Sequence, residues 1–239
     1  MLPSSHHPAI LISTRSEKHS LPHFNQAIES IKYSFTMASA QLSTRRPYHG
    51  SCHCGAIQYV VQLAFPPIPE SDASSILIYK CNCSTCHKMG LFHLRPTNPV
   101  EDFALVKPTN PYEELGDYKC NKRVSSWFFC KVCGVRCFAF GGEGEVVDLD
   151  LDKWLGKTDT EGKTTKIWRP KGGEWRVQLD GEEWLRPGCY LSINATSIEP
   201  GQEGFSLKEW TEKGWISYVN AREKIGEMRL GEPYEGGMY

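Results

Sequence analysis

The sequence predicts a mainly β fold with one short helix and a long insertion, and three observations carry that reading. Short apolar runs alternate with polar residues at period two, strong helix-start signals are sparse, and cysteines come in close pairs at the ends of the predicted strands. The 239 residues are 40% hydrophobic and 23% charged, which supplies a core and excludes a wholly disordered chain. A net charge of -1 argues against a nucleic-acid protein held by bulk electrostatics. No apolar run reaches the eighteen or so residues a membrane helix needs.

Residues 1–47 read as a disordered tail, rich in Ser, His and Pro, with basic residues at Arg15, Lys18, Lys32, Arg45 and Arg46. The stretch lacks the continuous apolar segment of a secretory signal, so the expectation is a cytoplasmic, reduced chain. A mitochondrial transit segment is the alternative, although the tail lacks a clean basic amphipathic helix; Met37-Ala38-Ser39 would serve as an internal start. The domain is predicted over 48–220. Ile57, Tyr59, Val61 and Leu63 alternate with Ala56, Gln58, Val60 and Gln62 as a first strand, which Pro66 and Pro67 end because proline cannot donate to a ladder. Further strands are predicted at Ile76–Lys80, Phe103–Val106, Arg123–Phe129, Val135–Phe140, Val147–Leu151, Tyr190–Ile193 and Ile216–Val219. Ser206 followed three residues later by Glu209 is a capping box, opening a short helix that Gly214 stops. Residues 152–188 read as an insertion, Gly-rich and dense in both signs of charge, whose Trp154, Trp168, Trp175 and Trp184 serve packing. Residues 221–239 read as a C-terminal tail.

Nine of the ten cysteines fall within 52–137, and only Cys189 lies outside. Without a secretory signal, such density points to metal rather than to disulfides, and the sequons at Asn82 and Asn194 read as chance. A C-x-x-C turn lets two thiolates converge on one ion, with a following glycine permitting the tight backbone. Cys52 and Cys54, with Cys130 and Cys133, supply four ligands, a closed set of the kind structural zinc takes. Cys81, Cys83 and Cys86 supply three from one loop and leave a coordination position vacant, unless Cys120 or Cys137 closes it.

The runs Gly50-Ser51-Cys52-His53-Cys54-Gly55, Lys80-Cys81-Asn82-Cys83-Ser84-Thr85-Cys86-His87-Lys88-Met89-Gly90 and Phe129-Cys130-Lys131-Val132-Cys133-Gly134 resemble the glutathione-dependent formaldehyde-activating family, which includes the centromere-protein-V-like proteins. The resemblance covers roughly 48–220. It implies a β-tent of small stacked antiparallel sheets, a structural zinc at Cys52, Cys54, Cys130 and Cys133, and a second zinc at Cys81, Cys83 and Cys86 linked to chemistry with glutathione. The long Cys54–Cys81 spacing with its Pro-rich loop, the 152–188 insertion, the tail and Cys137 depart from the pattern.

A three-thiolate zinc suits thiol chemistry, because zinc favours sulfur and a thiol with an ordinary pKa near 8.5 ionises when it binds. The expected activity is that of a carbon–sulfur lyase or synthase, condensing glutathione with formaldehyde or a related small electrophile. The alternatives are a zinc-stapled binding module without chemistry, and a protein that handles zinc or senses oxidants through the three-thiolate loop. His53, His87 and His93 are candidate acids or bases, with His87 the best placed. Lys80, Lys88 and Lys131 flank the clusters, Arg95 and Arg123 are candidates by type for glutathione's carboxylates, and Cys189 reads as a small buried hydrophobe.

Overall fold

The computed structural model describes residues 43–68, 74–120, 123–159, 161–179, 181–222 and 226–237. The predicted tail therefore lies outside the described residues as far as position 42. Among the described residues the chain is mainly β. One sheet runs in the order β1 (Thr44–Ser51), β2 (Gln58–Phe65), β5 (Phe103–Lys107), β10 (Thr165–Pro170), β9 (Gly144–Leu149). An eight-stranded sheet runs β15 (Glu227–Leu230), β14 (Ser217–Asn220), β3 (Leu77–Cys81), β4 (His93–Arg95), β13 (Tyr190–Asn194), β8 (Arg136–Gly141), β7 (Ser126–Phe129), β6 (Gly116–Tyr118). A separate hairpin joins β11 (Glu174–Leu179) to β12 (Glu182–Pro187). Neighbouring strands pair antiparallel except β3 with β14, which are parallel.

Among the described residues five short helices, where the sequence signals predicted one, interrupt the strands: α1 (Ser84–Met89), α2 (Pro99–Asp102), α3 (Pro111–Glu114), α4 (Leu151–Trp154) and α5 (Leu207–Glu212). The predicted helix is α5, with Ser206 accepting from the Glu209 N–H as its cap. The other four are single turns or little more, too short for a periodicity signal. Each depends on a side-chain cap instead: Asn98, Asn110 and Asp150 cap α2, α3 and α4, and Cys83 caps α1.

The inner faces of the two large sheets form one core. Phe103 of β5 meets Phe138 of β8 with ring centroids 5.4 Å apart, and Trp168 of β10 meets Phe140 of β8 at 5.0 Å. The strands predicted at Ile76–Lys80, Phe103–Val106, Val135–Phe140, Tyr190–Ile193 and Ile216–Val219 fall within one residue of β3, β5, β8, β13 and β14 at each end. On β2 the polar face is covered as well: Gln62 is buried and its amide donates to the Trp154 carbonyl at 3.1 Å.

Three segments read as peripheral belong to the sheets. β1 starts at Thr44, inside the stretch read as tail, and pairs with β2 along its whole length. Its sequence looks unstructured because it is an edge strand carrying Pro47, and its basic residues have acidic partners: Arg45 with Asp102 at 2.5 Å, and Arg46 with Glu203. β10, inside the stretch read as an insertion, buries Ile167 and Trp168. Its charged residues flank these two and pair with β9, Arg169 to Glu145 and Lys166 to Asp148, which gave the segment a loop-like composition. β15, inside the stretch read as a C-terminal tail, pairs with β14.

Candidate metal centres

The first centre is built on two hairpin turns of the same design. Cys52 sits just after β1, where its N–H donates to the Ile57 carbonyl and Gly55 turns back at φ +74° to donate to the Cys52 carbonyl at 2.9 Å. Cys130 sits just after β7, where its N–H donates to Val135 O and Gly134, at φ +75°, donates to Cys130 O, also at 2.9 Å. Both glycines adopt a left-handed conformation that a side chain would strain. The turns bring Cys52, Cys54, Cys130 and Cys133 together with all four sulfurs within 4.8 Å of one another. Cys52–Cys54 and Cys54–Cys130 Sγ separations are 3.6 and 3.5 Å. Four sulfurs bound at about 2.3 Å to one tetrahedral zinc lie about 3.8 Å apart, so the set fits that ion. Backbone N–H groups aim at the sulfurs: Ile57 N–H at Cys52 Sγ, 3.2 Å, and Val132 N–H at Cys130 Sγ, 3.4 Å.

A glycine roofed by an aromatic ring braces each arm. Tyr59 lies across the strand over Gly50, two residues before Cys52, and Phe129 lies over Gly116, one residue before Cys130. A Cβ at either glycine would fall inside the ring. The cysteine turns are thereby fixed to the main core, in which Cys52 and Cys130 are buried.

The second centre comes from one run of chain. Cys81 ends β3, Cys83 caps α1, and Cys86 lies in its first turn, with all three sulfurs within 4.8 Å of one another. The cap accounts for the C-x-x-C spacing: the Cys86 N–H donates to Cys83 Sγ at 3.4 Å, so helix geometry turns both thiols to one side. Asn82, between the first two cysteines, is a brace. It donates to Asn220 Oδ1 at 3.0 Å, and its own Oδ1 accepts the Ala221 and Arg222 N–H groups, each at 2.8 Å. Gly90 ends α1 at φ +62°.

Of the three candidate histidines, the structure brings only His93 to the centre, rather than the expected His87. His93 Nε2 lies 3.1 Å from Cys86 Sγ and Nδ1 lies 2.7 Å from Ser192 Oγ. Its ring stacks on Tyr79 at 4.3 Å and meets Trp127 edge-on. Burial pushes its pKa down to about 4, so the imidazole is neutral. With the proton on Nε2 it donates to Cys86 and accepts the Ser192 hydroxyl. The signal in sequence was weak, since His93 falls in a strand of three residues. His53 is exposed on its turn and His87 on α1.

The spare thiols divide cleanly. Cys137 is fully buried in the main core behind the four-cysteine group, and burial raises its pKa well above the usual value. Cys120 accepts a hydrogen bond from Thr85 Oγ1 at 3.6 Å, and its sulfur lies outside the group of three. Neither closes the second centre. Cys189 is half-buried rather than buried, and burial pushes it up to about 11. Lys131 bonds the Glu113 carbonyl and Lys80 lies over the Phe92 ring. Arg95 covers the Tyr190 ring, 5.2 Å from its centroid, and Arg123 lines a cleft with Lys119 and Arg176.

Charge completes the test of fit. In the four-cysteine group the Val135 N–H holds Cys133 down to about 6. In the group of three, hydrogen bonds from Cys81 and then Cys86 hold Cys83 far below the usual thiol range; the bond to Cys83 pushes Cys81 up, and the bonds to Cys81 and then Cys83 push Cys86 up. Thiols this close cannot all ionise beside one another without a cation to balance them, and a divalent ion relieves that conflict.

No family model matches the chain. A crystal structure of a Rhodobacter sphaeroides protein aligns at 18% identity over 67% of this chain and 93% of that one, with a TM-score of 0.33. No helix among the described residues is long and apolar enough to cross a membrane.

Proposed function

We propose that this protein is a zinc-dependent carbon–sulfur lyase or synthase that works on glutathione and a small electrophile, formaldehyde being the type case. The observation that carries the reading is the four-plus-three division of the cysteines, with Cys120 and Cys137 both away from the three-sulfur position. The three cysteine motifs resembling the glutathione-dependent formaldehyde-activating family support it. Cys52, Cys54, Cys130 and Cys133 would hold one zinc as a staple, and Cys81, Cys83 and Cys86 would hold a second with a position open to substrate. A zinc there supplies positive charge, under which a thiol loses its proton near neutral pH.

The chain's own part is placement. Asn82 and the α1 cap fix three sulfurs on one side, and neutral His93, hydrogen-bonded to both Cys86 and Ser192, holds Cys86 in position. In the reaction the glutathione sulfur forms a bond to the carbonyl carbon, and the C=O π pair moves to oxygen. That oxygen then takes up a proton, giving S-hydroxymethylglutathione. Holding the two reactants together is the main source of rate.

The test is zinc-loaded protein with glutathione and ¹³C-formaldehyde, followed by exchange NMR between free and sulfur-bound carbon. Acceleration over the uncatalysed exchange, lost in Cys86→Ser, is expected. Zinc-loaded protein that accelerates no aldehyde's exchange would favour the binding-module reading.

A further inference from the structure

Beside the three-sulfur centre, α1 and the eight-stranded sheet enclose a cleft of about 200 Å³, lined by Ser84, Thr85, Lys88, Met89, Tyr118 and Arg136. It belongs to the same neighbourhood as the sulfurs: Trp127, the cross-strand partner of Tyr118, packs with Met89 against Cys81 and Cys86. The lining offers two cations, three hydroxyls and no carboxylate. Arg136 stands over the Phe129 ring, its Cζ 5.2 Å from the centroid, and Phe129 is also its cross-strand partner. Its Nε is buried yet meets no hydrogen-bond partner among the described residues. Nε itself is covered, so a ligand in the cleft meets the outer part of the guanidinium. The volume lies below the roughly 300–1,000 Å³ that encloses a whole small ligand, so the cleft suits one arm of it.

We infer that this cleft binds a carboxylate arm of the thiol substrate, with the outer nitrogens of the Arg136 guanidinium donating charge-assisted hydrogen bonds and Lys88 adding a second positive charge. The inference rests on the proposed thiol chemistry for the choice of ligand. It moves the carboxylate contact from Arg95 and Arg123, which lie over Tyr190 and in another cleft, to Arg136 and Lys88. A planar guanidinium matches a carboxylate in a way that an ammonium does not, so Arg136→Lys should recover little.

Two measurements on the zinc-loaded full chain test it. Calorimetric binding of S-methylglutathione, which keeps both carboxylates but has no free thiol, should weaken about 10- to 100-fold in Arg136→Gln and by a smaller factor in Lys88→Gln. In turnover, Arg136→Gln should raise KM for glutathione more than it lowers kcat. It should also cut the preference for glutathione over cysteamine, a thiol with no carboxylate, by a similar factor. Wild-type zinc content and Tm in Lys88→Gln, an exposed position, guard against a folding artefact. S-methylglutathione that binds both variants as tightly as wild type, or fails to bind wild type, overturns the assignment. So does an equal loss with both thiols. If wild type turns over no thiol while S-methylglutathione binding still depends on Arg136, the carboxylate site stands and the proposed reaction falls.

Discussion

Cys133→Ser and Cys86→Ser each remove one thiol, yet they are expected to differ sharply in stability. The four-cysteine group ties together turns separated by 76 residues, Cys54 to Cys130, in the main core. Treated as a cross-link closing a loop of that length, it restricts the unfolded chain by about 4–5 kcal/mol. That is a large share of the roughly 5–15 kcal/mol that holds a domain together. The three-sulfur group spans only Cys81 to Cys86, is built on a helix turn, and packs in a small satellite cluster with Leu91. Closing so short a loop restricts little that the α1 cap and the Asn82 bonds do not already fix. At roughly 2–4 °C per kcal/mol for a chain of this size, Cys133→Ser should lower Tm by about 10–20 °C or prevent folding, and Cys86→Ser by only a few degrees. The assay is zinc per chain by mass spectrometry beside thermal unfolding by circular dichroism, under reducing conditions. Two zincs in wild type and one in folded Cys86→Ser are expected. One zinc in wild type, or equal collapse of the two variants, would refute the division of labour.

Gly116→Ala should destabilise by about 1–3 kcal/mol, seen as a lower Tm, because its Cβ would displace the Phe129 ring that precedes Cys130. His93→Gln should keep the fold but change the d–d spectrum of cobalt-substituted protein, since Cys86 loses the ring that positions it; an unchanged spectrum would remove His93 from that role. In metal-stripped protein at pH 7, held well below its own unfolding temperature and shown to be folded by circular dichroism, brief alkylation read by mass spectrometry should label Cys133 ahead of Cys137. The Cys133 thiol, held at about 6, is ionised there, whereas Cys137 is buried and protonated. Lowering the pH through 6 should protonate Cys133 and remove that lead. The stabilisation from its depressed pKa runs the same way, full above the ordinary thiol value and lost as pH falls through about 6.

The cysteine clusters were legible because C-x-C and C-x-x-C spacings, closed by Gly55 and Gly134 in two of them, bring the thiols within each turn together; that the Cys52 and Cys130 turns meet depends on how the β1–β2 and β7–β8 hairpins pack. The inward strands were legible because Val61, Leu63, Phe138 and Phe140 repeat at period two. What escaped was set by partners distant in sequence. Thr44–Ser51 looks like tail until Asp102 and Glu203 meet its arginines, and β10 looks like a loop until β9 matches its charges. His93 acquires its place only when β4 pairs with β3 and β13, which sets it beside Cys86 and Ser192.

The same reasoning explains why seven chemically equivalent thiols divide into two unlike centres. Ligands from two separate turns approach an ion from opposite sides and can enclose it, as Cys52 and Cys54 would with Cys130 and Cys133. Ligands from a single run of six residues approach from one side, so an ion held by Cys81, Cys83 and Cys86 keeps its other side free. Enclosure would need a fourth group from elsewhere in the fold. Among the described residues no fourth such group joins the three: Cys137 lies behind the other centre, and Cys120 and His93, though near α1 and Cys86, fall outside the set. An ion held by these three sulfurs would therefore keep an open position by chain topology, and the cleft carrying Lys88 and Arg136 lies against the same helix that presents them.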